Sequence, residues 1–230
     1  MVNDFPTTDQ SFETLLKNHP LATFQVHAHP TQAVIGLHGW TGDESAMLTV
    51  AKAVRAPSTV WFCPRAPYPA STGKNYTWFS GSDAEGWKTK RSFTLLRTLL
   101  ANLQNRGFSP TNLYLVGFSM GASLALEFAL RLKVALGGVV WFAGMVKDQA
   151  HLQTAATPTS RGTPILMLHG TRDTIVDPHE SQVVYNLLKN SGYSVTLAWV
   201  EANHKIPLPA IRIIRNFLEP TPDANDRKHT

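Results

Sequence analysis

Residues 113–133 read LYLVGFSMGASLALEFALRLK. The apolar run Leu113 to Val116 predicts a buried strand, and the alanine- and leucine-rich run Met120 to Lys133 predicts a helix. Between them, Gly117 to Gly121 has the pattern Gly-x-Ser-x-Gly, in which glycines allow a sharp turn from strand to helix. Such a turn pushes the central hydroxyl out above the edge of the sheet, so Ser119 is a candidate catalytic serine.

Strand and helix patterns alternate along most of the chain. Short β-branched or aromatic runs predict strands over Ala33 to Leu37, Thr59 to Cys63, Leu113 to Phe118, Gly138 to Phe142, Pro164 to Leu168 and Val195 to Val200. Helical spacing of apolar residues predicts helices over Glu44 to Arg55, Lys90 to Asn105, Met120 to Lys133, Pro178 to Asn190 and Pro207 to Leu218. We therefore expect an α/β fold, a three-layer sandwich around a mostly parallel sheet, with an edge strand near Leu21 to Val26.

The composition is that of one globular domain. The chain has 230 residues, of which 43% are hydrophobic and 16% charged, enough to bury a sizeable core. We expect a single domain over residues 1–230, with the polar segment 219–230 as a flexible tail. No run of about 18 apolar residues occurs, so stable membrane insertion is not expected. Residues 1–30 lack the apolar stretch of a signal peptide and Cys63 is the single cysteine, which together favour a cytoplasmic location.

The net charge of +5 raises the question of a nucleic-acid partner. The one tight basic cluster, Lys88, Lys90 and Arg91, lies at the start of a predicted helix, without the interleaved aromatic residues that stack on bases. We interpret it as a solvated face and expect no nucleic-acid binding. A small-molecule substrate and a monomer or homodimer are the expected partners and assembly.

A serine nucleophile needs a histidine base and a carboxylate that orients the histidine. In α/β-hydrolases the acid follows a late strand and the histidine follows the last strand. Here the strand ending at Leu168 continues into Asp173, and the strand ending at Val200 continues into His204. Asp173 and His204 are therefore the predicted acid and base. Asp177 lies in the same loop and is an alternative acid, although its position before a proline is also typical of a helix N-cap.

Nine histidines compete for the role of base. His38 and His169 each precede a glycine at a predicted strand end, where an imidazole more often bonds to nearby backbone, and neither follows the last strand. His27 and His29 could suggest a metal, but no zinc-type spacing accompanies them. We therefore expect neither a metal nor a cofactor.

Ester cleavage also needs two backbone N–H groups that stabilise the oxyanion of the tetrahedral intermediate. The residue after the nucleophile, Met120, supplies one of them. The glycine-containing turn His38 to Asp43 follows an early strand, and its backbone can present the Trp40 amide as the second.

Four segments together resemble the phospholipase/carboxylesterase family of α/β-hydrolases, which includes carboxylesterases and acyl-protein thioesterases. They are the turn His38 to Asp43, the elbow Gly117 to Gly121, the segment His169 to Asp173 and the pair Asn203-His204. The resemblance covers about Ala33 to Leu218. It implies the α/β-hydrolase fold, a triad of Ser119, Asp173 and His204, and an oxyanion hole formed by the amides of Trp40 and Met120.

Aromatic and apolar residues near the carboxyl edge of the predicted sheet suggest a wall for an acyl group. The predicted substrate-binding residues are Trp78, Phe79, Trp87, Phe142 and Met145. The connection from Gly144 to Gly162 is too short for a large helical lid, so short to medium esters are favoured over lipase substrates. We predict a serine carboxylesterase that acts through an acyl-enzyme. The alternatives are an acyl thioesterase, a lysophospholipase, or a catalytically silent ligand-binding protein of the same fold.

Overall fold

The computed structural model of the protein describes residues 19–82, 84–146, 152 and 154–220. The strands are β1 (Leu21–Gln25), β2 (Gln32–Leu37), β3 (Thr59–Pro64), β4 (Tyr68–Pro69), β5 (Tyr76–Thr77), β6 (Ser80–Ser82), β7 (Gly86–Lys88), β8 (Leu113–Phe118), β9 (Gly138–Phe142), β10 (Ile165–Gly170) and β11 (Val195–Val200). The helices are α1 (Glu44–Val54), α2 (Lys90–Asn105), α3 (Met120–Leu130), α4 (Pro178–Asn190) and α5 (Leu208–Leu218). Most of the predicted tail, residues 221–230, lies outside the described residues.

Among the described residues, seven strands form the main sheet in the order β1-β3-β2-β8-β9-β10-β11. The edge strand β1 pairs antiparallel with β3, and the other neighbours are parallel. Parallel neighbours need crossover connections, which the helices between them provide. The predicted α/β fold with a mostly parallel sheet is therefore confirmed.

Side chains on the two faces of the sheet belong to separate apolar clusters. Along β8, Leu113 and Leu115 point into one cluster, while Tyr114 and Val116 point into the other, as alternation along a strand requires. The first cluster includes buried residues of α2, α3 and α4, and the second includes those of α1 and α5. The sheet is therefore the middle layer of three.

Three segments differ from their sequence predictions by more than one residue at an end. The strand β10 extends to Gly170, so His169 lies within the strand. The helix α3 ends at Leu130 because the Thr157 amide donates to the Leu130 carbonyl at 2.8 Å, which takes up an acceptor at the helix end. The stretch between Cys63 and Lys90, for which no strand or helix is predicted, contains two small antiparallel hairpins, β4–β5 and β6–β7.

In the part of the chain that the structure describes, no helix is both long and apolar enough to span a bilayer. The connection between Phe142 and Ile165 also leaves too little chain for a large lid. The carboxyl ends of the parallel strands are thus reached mainly by loops, and the candidate site lies there.

Candidate active site

Ser119 lies at the turn between β8 and α3. Its backbone has φ 53° and ψ −120°, a conformation that residues with side chains rarely adopt. A Cβ on Gly117 would lie 2.4 Å from the Gly121 carbonyl oxygen, and one on Gly121 would lie 2.2 Å from the Leu37 carbonyl oxygen. Both glycines are therefore required by close backbone packing, as the sequence pattern predicts.

The predicted acid and base come together at the ends of β10 and β11. The His204 Nδ1 atom lies 2.6 Å from the Asp173 Oδ2 atom, and the Asp173 side chain is fully buried. The two loops are joined by backbone bonds from the Thr171 amide to the Val200 carbonyl and from the Arg172 amide to the Ala202 carbonyl. The His204 ring also packs on the Phe118 ring, with 4.8 Å between centroids, and so lies beside the elbow.

The Asp173 carboxylate is held ionised by hydrogen bonds. Burial on its own would raise its pKa, but donors to both oxygens outweigh this effect and lower the pKa below its usual range. The amides of Val176 and Ile175 donate to Oδ1 at 3.0 and 2.9 Å, and His204 bonds to Oδ2. Asp177 instead caps α4, where its side chain accepts from the His179 amide at 2.9 Å. Of the two candidate acids, Asp173 thus contacts His204, whereas Asp177 caps a helix.

A buried histidine, His169, lies directly beside this carboxylate. Its Nδ1 atom is 2.7 Å from Ser181 Oγ, which also accepts from the Trp141 indole N–H at 3.3 Å. Because the Nε2 atom faces only acceptors, the Val176 carbonyl oxygen and the Asp173 carboxylate, the neutral ring carries its proton on Nε2, and the Ser181 hydroxyl donates to Nδ1. Burial lowers the pKa of His169, which fits a neutral ring.

The Nε2 atom of His169 is 3.1 Å from the Val176 carbonyl oxygen and 3.3 Å from Asp173 Oδ2. The carboxylate therefore has a histidine on each side of its Oδ2 atom. The sequence predicts a backbone hydrogen bond for His169, as the bond to Val176 shows, but it does not predict the contact with Asp173. The four-residue spacing between His169 and Asp173 was the available signal, but it does not reveal where the ring points.

His38 and the backbone around it shape the turn after β2. The His38 ring is buried, accepts from the Ala66 amide at 3.1 Å through Nε2, and donates from Nδ1 to the Gly39 carbonyl at 2.7 Å. Burial lowers the pKa of His38, so the ring stays neutral and can accept at Nε2. A Cβ on Gly42 would lie 2.6 Å from this ring, which makes glycine necessary there.

The β4–β5 hairpin also holds the turn after β2 in place by hydrogen bonds. Asn75 donates from its side-chain amide to the Thr41 carbonyl at 2.9 Å, and the Tyr76 amide donates to the Gly42 carbonyl at 3.2 Å. Thr41 has φ 58°, so a residue with a side chain is held in a left-handed conformation within the turn. The turn that carries Trp40 is thus fixed by contacts on both sides.

A cavity of about 500 Å³ opens beside Ser119. Of the residues predicted to surround the reaction, Trp40, Phe79, Trp87, Ser119, Met120 and Met145 line it. Trp78 and Phe142 do not, because both are fully buried in the core. Trp78 instead supports the turn after β2, because its indole N–H donates to the His38 carbonyl at 2.8 Å. The prediction that these two residues contact substrate therefore does not agree with their burial.

Further residues line the cavity that the sequence interpretation did not select. They are Thr89, Ser123, Glu127, Arg131, Val146, Leu152, Ile175 and Val176. Ser123 accepts from the Met145 amide at 3.1 Å and so fixes part of the wall. The helical spacing of Ser123, Glu127 and Arg131 from Ser119 was a signal that they share one face of α3.

Residues 20–221 match the model of the phospholipase/carboxylesterase family. The chain belongs to this family. Family membership confirms the predicted enzyme class, a hydrolase of carboxylic esters, as well as the α/β-hydrolase fold.

Relatives within the phospholipase/carboxylesterase family are distant in sequence. A probable carboxylesterase of Oryza sativa subsp. japonica is 28% identical over 70% of this chain and 66% of its own length. Acyl-protein thioesterase 1 of Gibberella zeae is 32% identical over 51% of this chain and 49% of its own length. The chain thus spans about half to two thirds of these two relatives.

A solved structure has the same fold. The crystal structure of esterase PE8 superposes with a TM-score of 0.75 over 86% of this chain and 96% of that chain, at 24% identity. At this identity the likeness establishes the fold alone.

Proposed function

We propose that the protein is a serine carboxylesterase in which Ser119, His204 and Asp173 form the catalytic triad. The observation that carries the proposal is the 2.6 Å contact between His204 Nδ1 and Asp173 Oδ2. This contact lies beside Ser119, which has a strained backbone at the elbow and lines the cavity. With Nδ1 bonded to the carboxylate, Nε2 is the nitrogen that can accept the Ser119 proton.

The reaction proceeds by two acyl transfers. Ser119 Oγ attacks the ester carbonyl carbon while its proton passes to His204 Nε2, and the carbonyl oxygen becomes an oxyanion. The amides of Trp40 and Met120 donate to this oxyanion, which is their proposed role. The C–O bond then breaks, His204 protonates the departing alkoxide, and an acyl-Ser119 ester remains.

Water completes the cycle. His204 takes a proton from a water molecule, the resulting hydroxide adds to the acyl-enzyme, and Ser119 leaves with the proton that His204 returns. Asp173 stays ionised throughout and stabilises the imidazolium that forms twice. The lowered pKa of Asp173 fits this role because the carboxylate stays charged across the neutral range.

Cavity size and chemistry favour short to medium acyl groups. A cavity of about 500 Å³ lies within the usual range for small-molecule sites, and its wall is largely apolar. Phe79, Trp87 and Met145 form the part of the wall that would contact an alkyl chain. An oxygen ester and a thioester can carry the same acyl chain, so the cavity wall does not distinguish them and the preferred leaving group is identified by experiment.

The first experiment measures hydrolysis of p-nitrophenyl esters from acetate to hexadecanoate by the wild type, Ser119→Ala and Ser109→Ala. Loss of the nucleophile should lower kcat by about a thousandfold or more. Ser109 is exposed and remote from the cavity, so its alanine variant should keep the wild-type rate. Equal rates in the wild type and Ser119→Ala would contradict the proposed triad. A parallel series of acyl thioesters would show whether the sulfur leaving group is preferred.

A further inference from the structure

One face of α3 carries a row of polar side chains into an otherwise largely apolar cavity. Ser119, Ser123, Glu127 and Arg131 recur every four residues, and all four line the cavity. Residues at this spacing lie above one another on a helix. The row therefore begins at the nucleophile and ends at a pair of opposite charges.

The charged pair lies at the end of the cavity far from Ser119. With a helical rise of 1.5 Å per residue, Glu127 is about 12 Å and Arg131 about 18 Å from Ser119 along the helix axis. Side chains of a helix lean toward its N-terminus, which brings both charged groups part of the way back toward the serine. An acyl chain of medium length attached to Ser119 would reach them.

The pair is built into the wall. A guanidinium nitrogen of Arg131 hydrogen-bonds to Glu127 Oε1, and their side chains are only 26% and 22% exposed. The Arg131 guanidinium also lies over the Phe93 ring, 5.0 Å from its centroid. These contacts fix the orientation of the guanidinium, and Thr89 adds a hydroxyl-bearing side chain to the cavity lining.

This arrangement disfavours three kinds of acyl terminus. A plain methyl end would displace water from the ion pair and return no hydrogen bond, which costs free energy. A terminal carboxylate would be repelled by Glu127, and a terminal ammonium would be repelled by Arg131. A neutral group that both donates and accepts avoids all three penalties.

We propose that the site selects acyl chains of medium length whose far end carries a hydroxyl or an amide. The donor hydrogen of that group bonds to the Glu127 carboxylate, and its oxygen accepts from the Arg131 guanidinium or from Thr89. Hydrogen bonds to charged groups are stronger than those between neutral groups, so the terminus contributes to selectivity. The inference rests on the proposed ester hydrolase function, since it names the substrate class of the same cavity.

The test compares the p-nitrophenyl esters of octanoic acid, ω-hydroxyoctanoic acid and octanedioic acid, the last as its half-ester. The wild type should hydrolyse the hydroxy ester with a kcat/KM about tenfold above that of the plain ester, as expected for one charge-assisted hydrogen bond. Glu127→Gln removes the carboxylate that repels a terminal carboxylate, so this variant should shift its preference toward the half-ester. Arg131→Met should lose the preference for the hydroxy ester without gaining one for the half-ester.

Each comparison is a ratio measured on one protein preparation, so a change in the folded fraction cancels. Glu180→Gln and Arg212→Met make the same chemical changes away from the cavity and should keep the wild-type ratios. Equal rates with the plain and hydroxy esters, or wild-type ratios in Glu127→Gln and Arg131→Met, would overturn the inference while leaving the esterase intact. Absence of hydrolysis of every ester, acetate included, would instead contradict the esterase function and remove the basis of the inference.

Discussion

At the scale of single residues, His169 decides how the Asp173 carboxylate is held. Its Nε2 atom carries the proton because that atom faces only acceptors, the Val176 carbonyl oxygen and Asp173 Oδ2, while Ser181 bonds to Nδ1. The carboxylate that orients His204 is thus oriented in turn by a second, neutral histidine. His169 is not among the residues that line the cavity, and the role we expect for it is to position Asp173.

Replacing His169 should separate this role from a merely structural one. His169→Leu removes the donor to Asp173, and we expect kcat to fall about tenfold while KM changes little, since one hydrogen bond to a charged group is lost. His169→Gln keeps an N–H near the Nε2 position and should restore most of kcat. Steady-state kinetics of both variants provide the measurement. Equal losses in the two variants, or a loss confined to KM, would contradict the positioning role.

The contact between His204 and Asp173 could be predicted from sequence because each residue is tied to the end of a particular strand. His204 follows the last strand and Asp173 follows β10, so chain order alone was enough to select them. The role of His169 depends on Trp141 and Ser181, which are 40 residues apart in the chain and meet only after folding. The burial of Trp78 could not be predicted for the same reason, because its indole is placed by the His38 carbonyl.

At the scale of elements, the elbow between β8 and α3 depends on how closely α3 approaches β2. Gly121 lies against the Leu37 and His38 carbonyls, which belong to the end of β2 and the turn that follows. The first turn of α3, which follows Ser119, therefore packs closely against the start of the turn proposed to form the oxyanion hole. Any side chain at position 121 would push them apart.

Gly121→Ala should therefore destabilise the protein and lower its activity together. The new Cβ would lie 2.2 Å from one carbonyl oxygen and 2.5 Å from another, neither of which can rotate away. We expect a loss of about 2 kcal/mol or more in the free energy of unfolding, measured by urea denaturation, and a lower kcat in the remaining folded protein. Gly162→Ala is the matched control, because its Cβ meets only the Ala135 methyl group at 3.0 Å. Comparable stability of the two variants would argue against this account of the elbow.

The β4–β5 hairpin gives a second test at this scale. Asn75→Gly keeps the left-handed backbone at φ 56° and removes only the side-chain bond to the Thr41 carbonyl. We expect kcat to fall roughly fivefold, equivalent to about 1 kcal/mol, because the turn that presents the Trp40 amide loses a support. Lys74→Ala alters the same exposed loop without touching that turn and should keep the wild-type kcat. An unchanged kcat in Asn75→Gly would show that the brace is not needed.

Elements of the main sheet were predictable, whereas the hairpins were not. Buried parallel strands such as β8 and β9 are continuous apolar runs, and their predicted bounds match the structure. The strands of the β4–β5 hairpin have two residues each, too few for any periodicity. Their conformation comes from contacts with the Thr41 and Gly42 carbonyls, which the local sequence does not encode.

At the scale of the whole molecule, the three layers bury two neutral histidines at the carboxyl ends of two strands of the main sheet, with β8 and β9 between them. His38 follows β2 and His169 lies in β10, and burial lowers the pKa of both. In the unfolded chain a histidine takes up a proton near its ordinary pKa of about 6.5. Below that pH the unfolded state therefore binds more protons than the folded state.

The free energy of unfolding should consequently fall as the pH drops from about 6.5 toward the lowered pKa values, and be fully present above about 6.5. In this window each buried histidine contributes a slope of up to about 1.4 kcal/mol per pH unit. Asp173 acts in a separate, more acidic window, because its pKa is lowered from 3.8 and its contribution is lost only as the folded carboxylate protonates.

Urea denaturation between about pH 7.5 and about pH 5.5 measures the histidine slope. His169→Gln should reduce that slope by up to about half, since one of the two histidines is removed. His179→Gln, at an exposed position, should keep the wild-type slope. A His169→Gln slope equal to that of the wild type would mean that His169 takes up its proton as readily in the folded protein as in the unfolded chain, which the burial of its ring argues against.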